Sequence, residues 1–171
     1  MPTLHDQLLN ADRLNAVTQR AGFALWQLQE LEGTSAQYYV LVVHATPGMG
    51  LKAGQALVDK AQSKTFGSTI TQLTRAKQLP REVEKRFQAL LVERNWLVHS
   101  SRSSSRDAIH NDQACDRLIE RLDTIAEEAR LLLKEVVKHA EAFVKKHGVN
   151  TANIDEIAAQ TLKKWHGEDT L

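Results

Sequence analysis

Arg94, Asn95 and His99 are the residues of this chain whose types and spacing best suit chemistry. They belong to Glu93-Arg94-Asn95-Trp96-Leu97-Val98-His99, late in an amphipathic helical pattern that begins near Pro80. Placed at about 100° per residue, Phe87, Leu90, Leu91, Leu97 and Val98 share one apolar arc, and Arg94 falls inside it. An unpaired buried charge is very costly, so an arginine in that arc implies something that holds it. Asn95 and His99 are four residues apart and share one side of the helix beside the arc. An imidazole titrates near neutrality and suits general-base work. A guanidinium offers a planar fork of donors to developing negative charge, and an amide can orient the imidazole or bond the same anion. The same residues also admit a structural reading. Arg94 would pair with an acid from a neighbouring helix, and His99 would sit near a helix C-terminus, where a cation is favoured. Glu93 lies across the helix from Asn95 and reads as a surface residue.

The pattern Arg-Asn-x-x-x-His late in a helix, within an all-helical chain of this size, resembles the HEPN superfamily. Phe66-Gly67, then Leu73, Phe87 and Leu90 ahead of the motif, are similar to the helical approach seen there. The resemblance covers the middle of the chain and implies a helical-bundle fold. It also implies a metal-independent endoribonuclease that needs no cofactor and acts on RNA as a homodimer, in toxin–antitoxin or defence systems. An antitoxin or a nucleotidyltransferase would then be a protein partner. Carried onto matching positions only, the resemblance makes Arg94, Asn95 and His99 the catalytic residues. His99 would take the proton of a ribose 2′-hydroxyl, and Arg94 would stabilise charge on the attacked phosphate. The segment after His99 lacks the aromatic residues that often follow the motif in such folds.

The charge pattern bears on the partner. The net charge of +1 divides unevenly: residues 1–48 carry −2, residues 49–106 carry +7 and residues 107–171 carry −4. The basic third holds the motif, and such an excess attracts a polyanion such as RNA, although lysines also simply solvate helical faces. Ser100-Ser101-Arg102-Ser103-Ser104-Ser105-Arg106 reads as part of a flexible Ser/Arg-rich loop over 100–111. Arg102 and Arg106 there are candidate RNA-binding residues beside the motif. The plainer reading is a solvated connector.

The elements that position these residues follow from apolar periodicity. A chain of 171 residues suits one domain, here 1–171, and scarce Gly and Pro favour helix. Residues 1–11 read as a loose lead-in. Asp12 is a candidate cap for a long helix, or two nearly collinear ones, over 13–45. Leu14, Val17, Ala24, Leu25, Leu28 and Leu31 repeat along it at helical spacing. Pro47-Gly48-Met49-Gly50 breaks the chain. Short helices follow, over 51–63 with Leu51 and Leu57 facing inward, and around Ile70 and Leu73. Pro80 then suits the first turn of the motif helix. Asn111 or Asp112 caps the longest helix, which Gly148 ends; its two adjacent apolar rows suit a bundle or a partner chain. Thr151 or Asn153 starts a last short helix to Trp165. The expected class is therefore an all-α, HEPN-like bundle with long first and fifth helices and short accessory ones.

Several features point elsewhere or nowhere. Gly48-Met49-Gly50-Leu51-Lys52-Ala53 after the apolar run Tyr38–Val43 fits a dinucleotide-binding pattern. The run continues a helical stripe, however, and the acid expected about twenty residues on is missing. His5, His110, His139, His147 and His166 have no partner at ligand spacing, so no metal site is expected. His44 has no assigned role. Trp26 and Trp96 read as core or interface residues rather than base-stacking platforms. The single Cys115 excludes an internal disulfide and fits a reducing, cytoplasmic setting. No leader or membrane span is expected. Beside the nuclease stands a second class of function, a non-catalytic helical module that binds nucleic acid, a nucleotide or another protein through its cationic face.

Overall fold

A computed structural model describes residues 3–149 and 152–167, and among these the chain is all-α, with no strand. Helix α1 runs Leu4–Tyr39 and passes directly into a π-helical turn, Val40–His44. Helices α2 (Leu51–Gln62), α3 (Phe66–Arg75), α4 (Arg81–His99) and the single turn α5 (Ser101–Ser104) follow. A 3₁₀ turn, Arg106–Ile109, leads into α6 (Asp112–Lys146), and α7 spans Ala152–Trp165. The chain divides into two compact units, residues 1–137 and 138–171.

In the first unit, α1, α3, α4 and α6 supply a common core. Leu28, Leu31, Ile70, Phe87, Leu122 and Leu132 are its most enclosed large side chains. Phe66 meets Phe87 edge-on at 6.0 Å, which joins α3 to the motif helix. Ion pairs along the outside tie α1 to α6, Arg13 with Asp112 and Arg20 with Asp123. Tyr38 donates its hydroxyl hydrogen to the Gln78 carbonyl at 3.0 Å and so fixes the end of α1 against the approach to α4. In the second unit, the His147 ring stacks on Phe143 at 4.2 Å, and Gly148 closes α6 at φ +69°. The cap expected for α7 at Thr151 or Asn153 rests on side chains outside the described residues.

Two segments differ from the sequence expectation, each for a local reason. The supposed lead-in over 1–11 is helical from Leu4. Thr3 accepts from the Asp6 amide while the Asp6 carboxylate accepts from the Thr3 amide at 2.9 Å, a reciprocal capping box. A hydrogen bond from the Thr3 hydroxyl at 2.7 Å, and after it the one from the Thr3 amide, hold the Asp6 carboxyl below its ordinary range. Of the two readings for residues 13–45, the structure takes the single helix: the run is helical through Gly33-Thr34-Ser35 to His44, with a widened last turn. The Ser/Arg-rich segment over 100–111 is not an open loop. The Ser101 hydroxyl bonds back to the Leu97 carbonyl at 2.6 Å, and Ser103 and Ser104 bond back to that of Ser100, which winds the chain into α5. This extra turn makes the second long helix the sixth rather than the fifth. Leu51, expected inside, stands exposed, as do Leu14 and Leu25 of the α1 stripe.

Other expectations hold. Pro80 directly precedes α4, and the Asn111 side chain accepts from the Ala114 amide as the cap of α6. Gly48 and Gly50 take φ of +80° and +77° in the turn before α2, a backbone need that accounts for the glycines of the dinucleotide-like pattern. No described helix is long and apolar enough to cross a membrane.

Candidate functional site

Helix α4 is anchored by Val83, Phe87, Leu90 and Leu97, all buried on one side. One turn before its end, Arg94 lies on that same side and is half-buried. Its Nε donates to Glu32 Oε1 of α1 at 3.0 Å, and the two side chains are 28% and 27% exposed. Glu32 is therefore what allows an arginine in the apolar arc. The contact occupies one edge of the guanidinium. On the other edge, Nη1 lies 3.5 Å from Asn95 Oδ1, a long and weak bond. Asn95 is exposed, and its side-chain oxygen meets Arg94 rather than His99. His99 is exposed in the last turn of α4.

On the other side of α4 a second cluster forms. Glu93 takes a bidentate bond from Arg121 of α6, at 2.7 and 3.1 Å. The Arg121 guanidinium also lies 3.4 Å from the centre of the Trp96 ring, a stacked cation–π contact. Trp96 donates its indole N–H to Ser104 Oγ at 2.9 Å, which links α5 to the motif helix. Glu93 is thus a structural partner of α6 rather than a free surface residue. Trp96 has one face covered and is no open platform for a base, whereas Trp26 is 66% exposed and is not a core residue. Arg86 and Glu128 form a second bidentate bridge from α4 to α6, which raises the Arg86 pKa, chiefly through the Glu128 hydrogen bond.

These pairs redistribute the charge seen in the sequence. Arg86 and Arg94 belong to the basic third but are neutralised by acids from the acidic thirds. Arg102 and Arg106 are exposed, and among the described residues neither forms an ion pair. They follow His99 through α5 and the 3₁₀ turn. Elsewhere, His44 lies edge-on to Tyr39, with its Nε2 3.0 Å from the phenol oxygen. Among the described residues no group of three or more His, Cys, Asp or Glu side chains is placed to hold a metal ion.

Glu32 and Arg121 are the site residues that sequence reasoning missed. Glu32 left a signal, because it stands four residues after Leu28 and so interrupts the apolar stripe of α1 with an acid. Arg121 left none. Compared with known proteins, the chain matches no family model, no curated protein and no solved structure.

Proposed function

We propose that the chain is a HEPN-type, metal-independent endoribonuclease with Arg94, Asn95 and His99 as its catalytic residues. The observation that carries this reading is the grouping at the end of α4. A half-buried arginine is held firmly by Glu32 along one edge and only weakly by Asn95 on the other, in the same last two turns of the helix as an exposed imidazole. A guanidinium has five donors, so those not used by Glu32 remain for a phosphate. Glu32 is then a positioning residue that fixes the guanidinium before substrate arrives.

In this mechanism His99 removes the proton from a ribose 2′-hydroxyl. The 2′-oxygen attacks the adjacent phosphorus, the bond to the 5′-oxygen breaks, and that oxygen takes a proton from the His99 imidazolium or from water, leaving a 2′,3′-cyclic phosphate and a 5′-hydroxyl. Arg94 and Asn95 take up the added negative charge. Arg102 and Arg106, exposed and without acidic partners among the described residues, would hold flanking phosphates. The setting would be cytoplasmic, with RNA as substrate and an antitoxin or nucleotidyltransferase as a protein partner.

The Arg94–Glu32 pair favours a second reading, in which the cluster is structural and the chain is a non-catalytic binding module. The products separate the two. Single-stranded RNA incubated in excess EDTA should be cut and should carry 2′,3′-cyclic phosphate ends, whereas DNA of the same sequence should survive. Intact RNA under every condition, with retained RNA binding, would favour the module.

A further inference from the structure

Helix α1 has a second face that the fold leaves uncovered. Ala24, Leu28, Leu31 and Ser35 are buried on its inner side. On the outer side Leu4 is 73% exposed, Leu8 58%, Trp26 66% and Leu25 37%. Between these large residues the helix presents Ala11, Asn15, Thr18 and Gly22, all exposed. Positions 4, 8, 11, 15, 18, 22, 25 and 29 alternate steps of four and three without a break. That is the seam spacing of paired helices, sustained over about three and a half heptads.

We propose that this face pairs antiparallel with the same face of a second copy of the chain, across a two-fold axis that passes between Asn15 and Thr18. Three observations name the occupant. First, none of the eight seam positions is charged, in a chain whose residues are 25% charged. A polyanion or a charged partner would find nothing to pair with, while an uncharged surface would.

Second, the seam reads alike from both ends. Reversed about its midpoint, Leu8 meets Leu25, Ala11 meets Gly22 and Asn15 meets Thr18, so in the three inner pairs large faces large, small faces small and polar faces polar; only the outermost pair, Leu4 with Gln29, is unlike. A two-fold interface requires this self-complementarity. Third, Gly22 lies inside the helix, where glycine is worse than alanine, and a Cβ there would meet nothing within the chain. The close approach of a second helix backbone gives the missing side chain a purpose.

The apolar rows of α6, by contrast, are largely used within the chain, since Leu118, Leu122, Ile125 and Leu132 are buried. The pairing rests on the uncovered face of α1 and is independent of the nuclease reading.

The test uses the full chain and no activity. Light scattering across the micromolar range should give twice the chain mass. Leu25→Glu and Trp26→Asp, both at exposed positions, should each raise the dimer dissociation constant at least about tenfold while leaving helical circular dichroism unchanged. Differently tagged Leu8→Cys and Leu25→Cys chains, mixed and oxidised, should cross-link to each other and not to themselves. A monomer throughout the range would overturn the proposal. So would a dimer indifferent to both substitutions, or Leu8→Cys chains that cross-link to their own kind.

Discussion

At the scale of single residues, Arg94 carries two expectations that can be separated. Its bond to Glu32 is three-quarters shielded from water, so removing either partner strands the other. Arg94→Ala should lower unfolding free energy by about 1–2 kcal/mol, less than for a fully buried pair, because water still reaches both groups. Glu32→Ala combined with Arg94→Ala should recover part of that loss in a double-mutant cycle by urea denaturation. Full additivity would mean that the contact contributes nothing.

Tyr38 offers a pH test. Burial raises its phenol pKa above the ordinary 10.0, so the folded state holds the proton more tightly than the unfolded state. The resulting stabilisation is complete below about pH 10 and is lost as pH climbs through the raised value. Tyr38→Phe should therefore cost about 1 kcal/mol at neutral pH, with the gap to wild type closing at higher alkalinity. The need for an Arg94 partner was legible from the apolar arc alone. Its identity was not, because Glu32 lies 62 residues away and only the packing of α1 on α4 brings it there.

At the scale of elements, periodicity located the helices over 81–99 and 112–146 closely, because apolar stripes and an Asn111 cap mark them. It failed where hydroxyl groups decide. Thr3 and the serines over 101–104 complete backbone bonds that composition reads as looseness. Nor does spacing alone separate the faces of α1: of the residues in its stripe, Ala24, Leu28 and Leu31 are buried while Leu14 and Leu25 are exposed.

The end of α3 carries a further prediction. Lys77 adopts φ +53°, a left-handed conformation that favours glycine, and Gln78 N–H bonds back to the Leu73 carbonyl at 3.1 Å. Lys77→Gly should stabilise the fold by about 0.5–1 kcal/mol, read as a higher denaturation midpoint with an unchanged slope. A loss of stability would mean that the lysine side chain outweighs the backbone strain.

At the scale of the whole molecule, the basic third is less basic than it reads, because Arg86 and Arg94 are paired away. Arg102 and Arg106, which follow the motif in the chain, are exposed cations left for a polyanion. Binding of labelled single-stranded RNA should weaken with salt. Replacing both arginines with alanine should make the log–log slope shallower by about 1.4, the share of two phosphate contacts. An unchanged slope would remove them from the RNA path.

The central claim is that His99 is the general base, and cleavage rate measured together with melting temperature on one variant tests it most directly. His99 is exposed and is not part of the core, so His99→Ala should melt with the wild type. Its cleavage of single-stranded RNA in EDTA should fall by roughly two to four decades. A His99→Ala protein that melts normally and cuts RNA at the wild-type rate would contradict the account.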